Sequence, residues 1–341
     1  MKKKIYFILL CGFLFSATNI NAQVVAQGTT GEVQWTLTGS QDNLTLTISG
    51  NGAMGDYDVE SGRYFDDQST VRYPSWYWGD YGAIMHVHID YGVTTIGKEA
   101  FFASSLITVN IPNSVMHIGD WAFAESRLTS VFIPSSVRHI GKSAFSSLLR
   151  SDGYGMRNFT FIWVSSDNPN YSSIDGVLFN KDKSVLIRYP EGRGGYYRIP
   201  DGVYVIGNEA FSHSSFLVNV HIPNSVGSIE DRAFVFCNFS MIIIPESVHT
   251  MGNDVFASSF IDAIGLLHKT PPTKVWDLPK ESRGYGPSVS GRRMLNGRSI
   301  SLPIPVCIYV PDKSLEAYRT AVGWRDFPCF LSEYYNIVYR R

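Results

Sequence analysis

Charged residues fill only 17% of the 341 positions, and the formal net charge is −1. That balance removes any electrostatic reason to expect a nucleic acid or an anionic lipid surface as partner. Cysteine is scarce as well: Cys11, Cys237, Cys307 and Cys329 are the whole set. Beyond residue 5–15 no apolar run is long enough to cross a bilayer, so no transmembrane segment is expected after that stretch. The chain also lacks His-Glu-x-x-His, Cys-x-x-Cys, a glycine-lysine phosphate loop and a Gly-x-Ser-x-Gly elbow. No catalytic residue, metal or cofactor is expected on these grounds.

What is present begins with a leader. Lys2, Lys3 and Lys4 precede the apolar run Ile5 to Phe15, and Ser16 to Ala22 is small and polar. This reads as a signal peptide over 1–22, cleaved between Ala22 and Gln23. Cys11 follows Leu10 inside the apolar run, where a lipid-attachment box wants a small residue, so export without lipid is preferred. Cleavage leaves 26 basic residues against 30 acidic ones, a net −4, and three cysteines. An odd number leaves one unpaired. Cys237 reads as inert core, while Cys307 and Cys329 flank the last helical pattern and are open to bridging.

The body of the chain repeats itself. A β-branched start, Ile-Gly, a gap of two, Ala-Phe and a short strand closing on Ile-Pro recur from Val93, Val115, Val137, Val203, Val226 and Val248. The starts lie 22, 22, 66, 23 and 22 residues apart, and 66 is three periods of 22. A unit of this size cannot bury its own apolar face and is stabilised by stacking on its neighbours. Alternation places Val109, Ile111, Val131 and Ile133 inward. Proline ends each strand, because it cannot donate the next ladder bond. Gly97, Gly119, Gly141, Gly207 and Gly252 are expected to permit a tight bend or positive φ. The phenylalanines from Phe101 to Phe256 should stack in a column.

Inside the 66-residue interval, Phe159 to Val164, Val185 to Pro190 and Tyr196 to Pro200 read as further strands of the same ladder, which is expected to start at Ile84. Residues 32–50 read as a hairpin with Trp35, Leu37, Leu44, Leu46 and Ile48 on its inner face. Near the other end, Asp312 is the expected N-cap of a short helix stopped by Gly323. The expected organisation is a leader 1–22, an N-terminal β cap 23–83, a repeat solenoid 84–267, a basic Gly/Ser/Pro-rich insertion 268–305 and a C-terminal cap 306–341. The stretch 273–303 carries Lys274, Lys280, Arg283, Arg292, Arg293 and Arg298 against Asp277 and Glu281, a local +4.

These motifs resemble the BspA-like leucine-rich-repeat family of exported bacterial surface proteins. The resemblance rests on VTTIGKEAFFASSLITVNIPNSV, VRHIGKSAFSSL, NPNYSSIDGVLFNKDKSVLIRYPEG and IYVPDKSLEAYRTAVGWRDF, with WTLTGSQDNLTLTISGNGAM and YPSWY at the start. It covers nearly all of the chain beyond the leader. Glu230 in place of glycine, Val255 in place of alanine and the long 273–303 stretch depart from it. The resemblance implies a right-handed solenoid of about 22-residue repeats, with a parallel β ladder on the concave face and short helical turns and loops on the convex face. A β-hairpin N-cap and a helical C-cap would close its ends. It implies an adhesin-like role, with an extracellular protein such as a host matrix protein as partner, and supplies no catalytic residues.

The residues expected to face outward from the ladder are the candidate ligand surface: His88, Asn110, Phe132, Trp163, Arg188, Arg198, His221 and Ile243. Two positions further back are Thr108, Ser130, Phe161, Asn219 and Met241. Aromatics and arginine are the residue types that dominate binding hot spots. The same rings suit stacking on a glycan, which stays open as an alternative, as does a scaffold role through the 273–303 stretch. Packing of Phe132, Phe161 and Trp163 on one another, or under the insertion at 150–158, is the competing reading. His86 and His88 share one face without an evident third metal ligand. His117 and His139 recur with the repeat. Asp167, Asn168 and Asn170 offer oxygens to a calcium ion but also form turns. Gly192, Gly194 and Gly195 read as a turn.

Overall fold

The computed structural model describes residues 24–58 apart from 41 and 42, residues 84–146 and 158–272, and shorter stretches including 292–295, 298–301, 307–322 and 330–331. The leader, most of the insertion before Phe159, most of 273–303, Gly323 and Cys329 lie outside the described residues.

Each coil contributes a strand to two parallel ladders. In the Ile-Pro ladder, His86 registers with Thr108, Phe161 with Ser130 and Arg198 with His221. In the Ile-Gly ladder, Thr95 registers with His117, His117 with His139, and Val205 with Ser228. Inward residues such as Val131 and Ile133 are buried, while Phe132 between them is exposed. The expected alternation of the strands therefore holds.

The Ala-Phe segment forms a third hydrogen-bonded side. The N–H groups of Glu99, Phe101 and Ala103 donate to the carbonyls of Asp120, Ala122 and Ala124 at 2.9, 2.8 and 2.8 Å. Those of Ala100 and Phe102 turn back to Gly97 and Glu99. Left-handed backbone at Glu99 (φ 53°) and Ala103 (φ 52°) aims alternate N–H groups at the next coil. The same conformation recurs at Trp121 and Glu125, at Glu209 and His213, and at Asp254 and Ser258. Left-handed non-glycine residues cost on the order of 1 kcal/mol each, and the inter-coil bonds offset that strain.

The repeat glycines correct an expectation. None of Gly97, Gly119, Gly141, Gly207 and Gly252 has positive φ. They stand where one coil's backbone touches the last: a Cβ on Gly119 would lie 2.5 Å from Lys98 N and 2.7 Å from Gly97 C. Close approach, not dihedral freedom, is what glycine supplies here. At position 230 the carboxylate is used instead, with Glu230 Oε2 accepting from Asn208 N at 2.9 Å.

The aromatic column is present. Phe101, Phe123, Phe145 and Phe159 stack with ring centres 5.3 to 5.9 Å apart, and Tyr189, Phe211, Phe234 and Phe256 continue at 5.0 to 5.6 Å. The core nonetheless divides in two. Leu178 packs with the N-terminal cluster and Val177 and Phe179 with the C-terminal one. The strand carrying them, Val177–Asn180, is the middle of an antiparallel meander between Tyr171–Ile174 and Val185–Arg188.

That meander overturns one strand assignment. Val185–Arg188 does not join the Ile-Pro ladder; it pairs with Val205–Ile206 of the Ile-Gly ladder. VLIRYP is a shortened Ile-Gly-x-x-Ala-Phe, in which Tyr189 takes the aromatic slot and stacks on Phe211. Arg188 therefore points inward and is 5% exposed, contrary to the expected outward position.

At the N-terminal end, Val24–Thr30, Val33–Ser40 and Asn43–Ser49 pair antiparallel, and Asn43–Ser49 joins Ile84–Ile89 in parallel. The ladder thus begins at Asn43 rather than Ile84. At the other end, Cys307–Tyr309 extends Phe260–Leu266 in parallel. Asp312 is not the N-cap: it opens a 3-10 turn, Asp312–Ser314, capped by Pro311, and Ser314 is the N-cap of the helix Leu315–Thr320, neither with a side-chain capping bond. Arg292–Leu295 and Arg298–Ser301 form an antiparallel pair within the basic stretch. No helix among the described residues is long and apolar enough to cross a membrane.

Candidate functional site

The outward positions of the Ile-Pro ladder form three zones. The N-terminal zone is small and polar: His86 Nδ1 lies 3.0 Å from Thr108 Oγ1, His88 Nε2 lies 3.1 Å from Asp90 Oδ1, and Asn110 is exposed. His86 and His88 do share one face, and each contacts a different neighbour. No group of three or more potential metal ligands occurs among the described residues.

The central zone is aromatic. Trp163 registers directly with Phe132 on the adjacent strand. Phe161 and Trp163, two apart on one strand, stack with ring centres 5.0 Å apart and planes 5° from parallel. Phe161 and Trp163 thus pack on one another, while Phe132, Trp163 and Phe161 are 53%, 48% and 38% exposed; cover by the insertion at 150–158 lies mostly outside the described residues. Arg193, on the loop Gly192–Gly194, places its guanidinium carbon 5.3 Å from the Phe161 ring centre and 5.6 Å from that of Tyr189. It also donates to Asp175 O in the Asp175-Gly176 turn. A Cβ on Gly176 would run into the Phe161 ring, so the turn fits against the aromatic step only as glycine. Sequence reasoning missed Arg193; an arginine between glycines beside an aromatic-rich strand was the available signal.

The C-terminal zone carries Tyr196 and Arg198 on one strand, registered with Asn219 and His221 on the next. Arg198 Nη2 contacts both carboxylate oxygens of Asp201 at 3.3 Å. Burial, reinforced by the Arg198 charge, pushes the His221 imidazole below its ordinary range. These side chains open onto a groove of about 1100 Å³ that runs to Lys269 and Asp312.

Arg188 belongs to none of these zones. Its Nη1 donates to Glu209 O at 2.8 Å and to Ser212 Oγ at 2.7 Å, and its Nη2 meets Glu191 Oε2 at 3.2 Å. It braces the irregular middle, where Ser143 Oγ also donates to Glu209 Oε2 across three sequence periods. Asn168 is likewise structural. Its buried amide donates to Pro134 O and Val137 O, and its Oδ1 accepts from the N–H groups of Asn170 and Tyr171. Asn170 Nδ2 donates to Arg138 O, and Tyr171 OH accepts from Ile140 N. These side chains satisfy the edge of His139–Ile140 where the Ile-Gly ladder is interrupted. Cys237 is free and buried with its thiol 3.0 Å from Phe211 O, and burial raises its pKa. Cys307 is disulfide-bonded.

Coils built from a parallel strand, a tight turn segment and an aromatic column define the class of leucine-rich-repeat proteins. Six copies of the BspA-type leucine-rich-repeat region match the sequence, over residues 79–152 and 196–270, so these two stretches carry BspA-type leucine-rich repeats. No curated protein sequence matches it. Among solved structures it is similar to a leucine-rich repeat protein from Eubacterium ventriosum, at 23% identity over 72% of this chain and 74% of that one, with a TM-score of 0.47. A leucine-rich cell surface protein from Faecalibacterium prausnitzii aligns at 21% identity over 71% and 89% of the two chains, TM-score 0.42. A pneumococcal vaccine antigen aligns at 18% identity over 91% and 99%, TM-score 0.37.

Proposed function

We propose that this chain is a non-enzymatic binding protein, exported through its N-terminal leader, that recognises an extracellular protein in the manner of an adhesin. The recognition surface is the outward, concave face of the Ile-Pro ladder, with Phe132, Phe161 and Trp163 at its centre and His88 and Asn110 beside them. One observation carries the reading: three large rings stay substantially exposed at adjacent register positions of a rigid ladder. Isolated exposed apolar residues are ordinary, whereas a contiguous aromatic step braced by Arg193 is the kind of feature that anchors a protein partner. Face-to-face stacking of Phe161 on Trp163 occupies one face of each ring, which favours a protein over a sugar at this step.

The test is capture of purified extracellular-matrix proteins by the immobilised mature chain. The variant carrying Phe132→Ser and Trp163→Ser should lose that capture while its circular dichroism and melting curve stay close to the parent's. Undiminished capture by the folded double variant would remove the aromatic step from the recognition surface.

A further inference from the structure

The C-terminal groove differs in chemistry from the aromatic step. Tyr196 stands at its mouth, 81% exposed. Beside it the register sets Asn219, and one pleat further along it sets Arg198 beside His221. Asp201 holds the Arg198 guanidinium from the rim, leaving its other N–H groups to the groove. Asp312 and Lys269 close the far end. The strands Gly195–Arg198, Leu217–His221, Asn238–Ile244, Phe260–Leu266 and Cys307–Tyr309 lie side by side beneath it. Four inter-strand steps of about 4.8 Å give the floor a length of roughly 19 Å.

We propose that this groove is a second binding site, separate from the aromatic step, and that its ligand class is an uncharged oligosaccharide. An exposed phenol ring beside planar polar side chains is what a pyranose requires. The C–H groups on one face of the sugar pack on the ring, and its hydroxyls, each both donor and acceptor, meet amide, imidazole, guanidinium and carboxylate groups in the plane. His221 is held neutral at neutral pH, so it too donates through one nitrogen and accepts through the other. Arg198 lies against Asp201 at one end, and Lys269, which pairs with Glu246 at 3.4 Å, stands with Asp312 at the other, so no excess of positive charge draws a strongly anionic ligand. The groove is also long enough for several sugar rings in a row. A peptide that binds by strand addition needs a free strand edge, and here the groove floor presents side chains instead.

The experiment is a printed array of host and bacterial oligosaccharides probed with the labelled mature chain and three folded variants. Neutral glycans should bind the parent, and Tyr196→Ala and Arg198→Gln should each lower the signal roughly ten-fold. The Phe132→Ser, Trp163→Ser variant should retain it. A blank array overturns the proposal. So does binding that survives both groove substitutions, or binding lost only with Phe132 and Trp163, which would place the sugar on the aromatic step. Because the matrix-protein capture is read separately, failure of this site leaves the protein-binding reading standing, and the converse also holds.

Discussion

Phe161 and Trp163 lie two residues apart on one strand, their rings parallel within 5° and 5.0 Å apart, and both stay partly exposed. A strand normally stands such side chains apart on one face, and here Arg193 and the Asp175-Gly176 turn hold Phe161 in place. Because the stack is exposed, removing Phe161 should change stability little. Phe161→Ala is expected to cost about 1 kcal/mol in urea unfolding, the range of an aromatic pair, while weakening protein capture more strongly. A loss above about 3 kcal/mol would assign Phe161 to the core instead.

Gly119 makes the opposite prediction. A Cβ there meets backbone, not a flexible side chain, at 2.5 and 2.7 Å. Since its φ is not left-handed, Gly119→Ala gains no strain from the dihedral, and its whole effect comes from pushing two coils apart. It is expected to destabilise by roughly 1–3 kcal/mol or more in chemical denaturation. Glu230→Gly, at the coil that already tolerates a side chain, should stay within about 1 kcal/mol. Equal effects at the two positions would mean that the coils yield without resistance.

The repeat was legible because each of its letters answers to one physical demand. Phenylalanine fills a column, proline ends a ladder strand, and the strand alternation sorts Val131 and Ile133 from Phe132. In the 66-residue middle, Phe161–Val164 and Gly195–Arg198 join the Ile-Pro ladder as expected, but the placement of Val185–Arg188 was not legible, because it obeys the same alternation on a different ladder. Val185 to Pro190 carries an apolar pattern that fits either ladder, and only pairing with Val205–Ile206 decides which way Arg188 points. Positive φ does not occur at the repeat glycines, and their close approach was not legible, since one sequence shows which residue is small but not which backbone lies against it. The aromatic step could be read from the strands. Its support from Arg193 could not, because that residue reaches Phe161 from a loop some 30 positions away.

His213 gives the fold a pH dependence. It stacks on Phe236 with ring centres 4.7 Å apart, and burial, with Arg188 and Arg232 adding to it, pushes its pKa down to about 3. The folded state therefore favours the neutral ring. Its contribution is fully present above the unfolded value near 6.5 and is lost as pH falls from there toward 3, at up to about 1.4 kcal/mol per unit. Melting temperature measured from pH 7 to pH 4 should fall more steeply for the parent than for His213→Phe, which keeps a ring against Phe236. Parallel curves would show that His213 charges freely in the folded state.

Asn168 separates a structural role from a metal site. Its side chain is buried and makes four hydrogen bonds, two donated to Pro134 O and Val137 O at 2.8 and 3.0 Å and two accepted from Asn170 and Tyr171 at 2.9 Å. Removing it takes these bonds from two carbonyls and two N–H groups where the Ile-Gly ladder is interrupted, and of these Pro134 O keeps a second donor, the Val137 N–H at 3.3 Å. Asn168→Ala should therefore cost on the order of 2–4 kcal/mol. Asn168→Asp keeps the acceptor but replaces the donating amide with a charge aimed at two carbonyls, so it should be no better. A calcium-binding loop would behave differently: the parent would melt higher with added calcium, and Asn168→Asp, with a harder oxygen ligand, would bind the ion at least as well. Melting curves of the parent and both variants, with and without millimolar calcium, distinguish the two. The expected result is destabilisation of both variants that calcium neither relieves nor deepens, because the amide's two donated bonds are what the ladder edge requires.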